Sequence, residues 1–209
     1  MWLDWLEKRF GHWSVAHFPL FIVAANGIIY LLGMTQPGFT GRLLLDPVMV
    51  RFGEWWRVMT FLFVPPSMGP FWLVFWLLLL YQYSQALEYE WGSFRFLVFY
   101  VIGALATVVA SLWSGQSLSN LPLNTVLFLA FATLFPDFQL LLFFVIPIKV
   151  KYLAWVFWAG IIYSLVFGGA ATRVGVIASL VNYAIFFGPG IWNGLRIRWL
   201  VYNNRKRFR

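Results

Sequence analysis

No cysteine occurs in the 209 residues, which excludes disulfides, thiolate nucleophiles and cysteine-ligated metals. Histidine is almost as scarce: only His12 and His17 are present, both ahead of the first long apolar run. A general base must lie within hydrogen-bond reach of the hydroxyl it activates. A serine–histidine pair inside the apolar part of the chain would therefore have to recruit the N-terminal segment. Lys8, Lys149, Lys151 and Lys206 all flank apolar runs, and Asp4, Asp46 and Asp137 fall in connections or at run ends. Neither a lysine base nor an aspartate pair is in prospect. There is no HExxH and no other metal-ligand spacing, so no metal and no cofactor are expected.

Charge is the other shortage. Charged residues make up 11% of the chain, hydrophobic ones 62%, and mean hydropathy is +0.78. A soluble domain carries roughly 25% charge, so this composition is that of an integral membrane protein. Net charge is +8, but the basic residues sit in short segments between apolar runs. They read as charge that orients spans, and no nucleic-acid partner is expected. The first apolar run follows MWLDWLEKRFGHW and lacks a small-x-small exit, so no cleavable signal is expected.

What is present is a series of apolar runs punctuated by proline and glycine. Residues 1–17 place Trp2, Trp5 and Trp13 roughly on one side, as in a short amphipathic helix at the membrane interface. Spans are expected over Phe18 to Met34, Phe71 to Leu87, Phe94 to Trp113, Leu123 to Phe135, Tyr152 to Phe167 and Val174 to Leu195. Gly188-Pro189-Gly190 is expected to kink or break the last. The connection from Phe39 to Met68, with Trp55 and Trp56 among Arg42, Arg51 and Arg57, suits a half-buried segment at headgroup level. Glu88 to Arg95 reads as a tight connection around Gly92. Phe138 to Ile146 is apolar but too short to cross, and reads as an interfacial or re-entrant piece. No internal repeat or inverted symmetry is evident.

These runs give an all-α polytopic membrane protein. Residues 1–17 form the interfacial helix, 18–195 a six-span domain with a long, partly membrane-embedded first loop, and 196–209 a basic cytoplasmic tail. With the N-terminus inside, the inner segments hold Lys8, Arg9, Arg95, Lys149, Lys151, Arg196, Arg198, Arg205, Lys206, Arg207 and Arg209. The outer ones hold only Arg42, Arg51, Arg57 and Arg173, so both termini are expected in the cytoplasm. The tail is expected to attract anionic lipid, at about 1 kcal/mol per basic residue near the surface. Arg57 and Glu88 could lie near membrane depth. A charge there either lines a hydrated cavity or ties down backbone at a span end.

Both residues fall in motifs that carry a family likeness. GEWWRVMTFLF (Gly53 to Phe63, with Glu54, Trp56 and Arg57) resembles the Trp-Arg motif in the first loop of the rhomboid superfamily. ALEYEWGSFRFLVFY (Ala86 to Tyr100, with Glu88, Gly92, Arg95 and Phe96) resembles that superfamily's signature at the junction of spans two and three. FPDFQLLLFFVIPIKVKYLAW (Phe135 to Trp155) is similar to its passage from span four to five. The resemblance implies a six-helix rhomboid-like bundle.

Active rhomboids are intramembrane serine proteases, and here each catalytic position that the resemblance implies is substituted. The Gly-x-Ser-Gly nucleophile box is replaced by Leu121 to Asn124 within SNLPLNTVLF, and Ser179 stands where the base histidine would fall. Trp72 and Trp76 occupy the oxyanion-assisting positions of span two. The pattern resembles the non-catalytic rhomboid pseudoproteases, and YQYSQALE (Tyr81 to Glu88) is similar to derlins. The resemblance implies no enzyme but a protein that recognises transmembrane segments of clients or partners, in membrane-protein quality control, trafficking or regulation. Asn124, Ser179 and Asn182 are the polar groups expected to face such a client from one side. A protease using Ser119 or Ser179 without histidine is one alternative, and would lack oxyanion donors worth about 10²–10³ in rate. A small-solute transporter or channel is another, although spans three to six offer almost no charge for a polar pathway.

Overall fold

A computed structural model describes residues 2–11, 15, 17–142 and 146–207. His12, Trp13, Phe208 and Arg209 lie outside the described residues, as do the side chains of residues 2–4, 10, 141, 142, 146 and 189–207. Nine α-helices and one hairpin are present among the described residues. They are α1 (Trp2–Phe10), α2 (Phe18–Thr35), α3 (Pro47–Arg51), α4 (Arg57–Thr60), α5 (Pro70–Trp91), α6 (Ser93–Ser114), α7 (Leu121–Leu134), α8 (Val150–Phe167) and α9 (Ala170–Arg207), with strands β1 (Gln139–Leu142) and β2 (Ile146–Lys149) between α7 and α8.

Four helices, α2, α6, α8 and residues 170–188 of α9, are long and apolar enough to cross a membrane. α7 is apolar but has only 14 residues, about 21 Å at 1.5 Å per residue. α5 has 22 residues and carries Glu88 and Glu90 towards its end.

α7 is the centre of the bundle. A helix that is apolar all round has to be enclosed, and Leu123, Val126, Leu127, Leu129, Ala130 and Phe131 are each 0–1% exposed. α6 and α9 close over it with the help of Gly103. A side-chain carbon on Gly103 would come within 2.3 Å of Leu123 Cδ1 and 2.7 Å of Asn182 Nδ2, so any other residue here would have to displace those two buried side chains. α2 and α8 stand at the periphery, with 17% and 11% of their apolar windows buried. α1 is tied on by Glu7, which accepts from Arg95 Nε at 2.9 Å.

The first loop is built rather than slack. Asp46 caps α3 by accepting from Val48 N at 2.9 Å and Met49 N at 3.3 Å, satisfying two orphan amides of the helix start. Arg57 is 6% exposed. It pairs with Glu54 and donates from Nη1 to the carbonyls of Gly41 at 2.9 Å and Leu44 at 3.0 Å. Thr60 adds a bond to Leu43 O at 3.0 Å. Of the two roles open to Arg57, the structure shows backbone tying. Trp55 and Trp56 are 69% and 53% exposed, and Gly53 turns at φ +103°.

Three stretches differ from the sequence expectation. Glu88 to Arg95 is not a loop: α5 runs to Trp91, α6 starts at Ser93, and Gly92 alone joins them at φ 83°, ψ 152°. Tyr89, Glu90 and Trp91 are polar or amphipathic, yet none of them stops a helix, so it runs on to the glycine. The apolar piece after Phe138 is a hairpin, which departs from a purely helical fold. Gln139 pairs with Lys149 and Leu141 with Pro147 in antiparallel register. Pro147 is accommodated because in a two-stranded ladder each strand is an edge, where proline is tolerated. At the hairpin's base Lys151 Nζ donates to Asp137 at 2.9 Å and Lys149 Nζ lies 3.5 Å away. Hydrogen bonding from Lys151, helped by the charges of both lysines, holds the Asp137 carboxyl below its ordinary value. Finally, α9 runs without interruption through Gly188-Pro189-Gly190 to Arg207, so the basic tail begins as a continuation of the last helix.

Candidate functional site at the start of α7

The start of α7 follows from its sequence. Pro122 occupies the first turn, where its missing N–H costs nothing, and Ser119 Oγ accepts from Leu121 N at 3.4 Å. Asn120 fixes the position of this end. It is 2% exposed, and its Nδ2 donates to Leu62 O at 2.7 Å, an acceptor shared with the Tyr100 hydroxyl at 3.3 Å. The first loop is thereby pinned to α6 and α7 at one carbonyl. An isolated bridge between Leu45 and Leu118 adds a second tie. Asn120 was not singled out in the sequence. An asparagine one residue ahead of Leu-Pro reads as an ordinary helix cap, and nothing local signals a bond to a residue 58 positions away.

Three cavities surround this end of α7, and Leu121 lines all of them. The largest, about 690 Å³, lies towards Tyr30, Ser67, Met68 and Asn120. The second, about 260 Å³, reaches Ser117, Thr172 and Gly175. The third, about 300 Å³, lies between α7, α8 and α9 and is lined by Thr125, Phe157, Gly160, Ser164 and Ser179 among others. No charged side chain lines any of the three.

The substituted catalytic positions are partly gathered here. Leu121 and Ser179 share the third cavity. Ser179 is 1% exposed, and its Oγ has no hydrogen-bond partner. Trp72 and Trp76 are elsewhere on α5. Trp72 is 51% exposed and sits edge-on to Phe71 at 5.6 Å, while Trp76 packs half-buried against the core. Asn124 and Asn182 do not line the cavities. They are 4% and 0% exposed. Asn182 Nδ2 donates to Phe99 O at 3.2 Å, and both polar atoms of Asn124 lack a partner. The three polar groups expected on one client-facing side are therefore buried in the bundle, and of them Ser179 alone borders a cavity.

The remaining motif residues are structural in their surroundings. Arg95 is held by Glu7, and Phe96 is fully buried. Glu88 lies in the last turns of α5 with Oε1 buried and unpartnered. Roughly 27 Å of helix separates it from the start of α5, and it is not among the partners of Arg57, which are Glu54, Gly41 and Leu44. His17 is exposed at the beginning of α2 with φ 63°. Among the described residues no group of three or more histidines or carboxylates could hold a metal.

Several apolar helices long enough to cross a bilayer, packed round a buried seventh helix, define an integral, multi-pass membrane protein. Residues 20–194 match the Der1-like family model, and the chain belongs to that family, whose members are catalytically inactive rhomboid-like proteins. No curated protein matches the chain.

Proposed function

We propose that this protein is a six-span rhomboid-like pseudoprotease, with both termini in the cytoplasm, that binds transmembrane segments of client or partner proteins. In this reading α5 and the short α7 join α2, α6, α8 and α9 as spans, and the first loop is partly embedded in the membrane. The observation that carries it is the pairing of Leu121 with Ser179 on one uncharged cavity between α7, α8 and α9. Where the superfamily's enzymes hold nucleophile and base, this chain offers space, the hydroxyl residues Thr125, Ser164, Thr172 and Ser179, and no histidine. Positioning without base or oxyanion donor leaves binding as the serviceable property. The sparse burial of α8 supports access from the bilayer at its seam with α7. Polar contacts between helices in a membrane contribute about 0.6 to 2 kcal/mol each, so client binding is weak and sensitive to lipid. A role in membrane-protein quality control, trafficking or regulation fits such recognition.

The test uses protein reconstituted with a fluorogenic transmembrane substrate, a fluorophosphonate probe and a photocrosslinker at Val156. No cleavage and no serine labelling, together with crosslinks to other membrane proteins, is the expected result. Cleavage accompanied by labelling would establish a protease with an unfamiliar base.

A further inference from the structure

Away from the start of α7, α6 and α9 leave between them an apolar groove of about 530 Å³, to which no other element contributes a lining residue. Its floor is alanine, at Ala106, Ala110 and Ala178, and its walls are the exposed side chains of Leu105, Val109 and Ile177. One end is shut. There α6 and α9 are pressed together at Gly103, where a side-chain carbon would fall 2.7 Å from Asn182 Nδ2. The other end opens at Trp113, 87% exposed in the last turn of α6. The stripe from Ile102 to Trp113 is about 16 Å long at 1.5 Å per residue, close to half of a hydrocarbon core about 30 Å thick. A transmembrane helix docks along a seam that crosses the whole core, and this groove stops at mid-depth. A lipid chain, which occupies one leaflet, matches its length.

The open end is cationic. Arg51, exposed at the end of α3, donates from Nη2 to Leu112 O at 3.1 Å, next to Trp113 in the chain. A guanidinium carries several further N–H donors, and no described carboxylate pairs with this one. The Trp113 indole adds a donor of the kind enriched at membrane surfaces. A phosphodiester is the anion that arrives at such a place with a chain attached, and its oxygens suit the fork of an arginine.

We infer that the groove between α6 and α9 holds one acyl chain of an anionic phospholipid, whose phosphate is bound by Arg51 with Trp113 beside it. The lipid belongs to the leaflet at the C-terminus of α6, opposite the basic tail; in the topology proposed above this is the non-cytoplasmic one. A zwitterionic headgroup brings its own cation towards the guanidinium and is disfavoured. The site requires only that α6 and α9 lie in a bilayer, and it stands apart from client binding.

The experiment uses the absence of native cysteine. A bimane fluorophore is attached at Val109→Cys on the groove wall or, for comparison, at Ile28→Cys on α2, both positions being more than half exposed. The full-length protein is placed in phosphatidylcholine nanodiscs. An increasing fraction of the lipid is replaced by dibrominated phosphatidylglycerol or dibrominated phosphatidylcholine, and quenching is followed. At Val109 the phosphatidylglycerol should reach half-maximal quenching at about fivefold lower mole fraction than the phosphatidylcholine, the ratio that one basic residue near an anionic surface supplies. At Ile28 the two curves should coincide. Arg51→Gln should merge the curves at Val109, Arg51→Lys should keep part of the difference, and Ala106→Leu, which raises the floor, should make both match those at Ile28. Coincident curves at Val109, a preference untouched by Arg51→Gln and Ala106→Leu alike, or an equal preference at Ile28 overturns the inference. Absence of quenching by either lipid at Val109 overturns it too, and would show that a second copy or another protein covers the groove.

Discussion

Arg57 illustrates what a single buried charge does in this protein. Its guanidinium reaches two carbonyls from a stretch some fifteen residues earlier, at Gly41 and Leu44, and a carboxylate three residues back at Glu54. Lysine is a point charge on a flexible stem and cannot reproduce that planar fork. Arg57→Ala should cost about 2–4 kcal/mol, since two loop carbonyls and a half-buried carboxylate lose their partner, and Arg57→Lys should recover only part of it. Thermal unfolding in detergent checks this against Arg42→Ala on the exposed side of the same loop. An equal effect of the two alanine variants would mean the loop is held elsewhere. At this scale the sequence was informative where charge is rare: Arg57 stood out because so little else is charged. Asn120, Asn124 and Asn182 were harder, because a neutral amide carries no mark of whether its neighbours are solvent, lipid or another helix. Asn120 went unremarked, and the sequence left the other two open between a client-facing side and the packing between helices.

Among the elements, the long apolar helices were legible from apolar runs and from Pro and Gly, and α2 and α8 begin or end within two residues of expectation. The hairpin was not. Nine apolar residues cut by a proline fit a re-entrant piece and an edge-strand pair equally well, and only the pairing of Gln139 with Lys149 distinguishes them. Its base gives a pH-dependent prediction. The Asp137 carboxyl is lowered in the folded state by the Lys151 hydrogen bond and by both lysine charges. The stabilisation is therefore fully present above the ordinary aspartate value of about 3.9 and is lost as pH falls through the lower, folded value. Val150 N and Lys151 N donate across this base to Phe138 O and Pro136 O. Protection of these two amides from hydrogen exchange should drop on acidification to about pH 3 and below, relative to the core of α7. In Asp137→Asn it should be lower at neutral pH and lose that dependence. Identical profiles in the two proteins would show that the carboxylate does not hold the hairpin.

For the molecule as a whole, the lack of cysteine offers a direct reading of topology. Single cysteines at residue 8, ahead of the first span, and at Ser117, between α6 and α7, should label oppositely with a membrane-impermeant maleimide. Residue 117 should react from the non-cytoplasmic side and residue 8 only after the membrane is opened. Labelling of both from the same side would remove one span from the six-span reading and invert the charge argument. Composition was enough to place this protein in a bilayer, and three short motifs were enough to suggest its family. The cavity was beyond reach of either, because it is made by residues from α7, α8 and α9 whose separations along the chain say nothing of their proximity.

The one-residue joint at Gly92 bears on how the protein is made. Two helices of 22 residues each meet with no loop between them. During synthesis a single residue outside a helix separates the first from the second. If α5 and α6 both cross the bilayer, as proposed above, they are expected to leave the translocation machinery as one unit. On that reading the polar end of α5 at Glu88 and Glu90 stays at the membrane surface until Ser114 has been made.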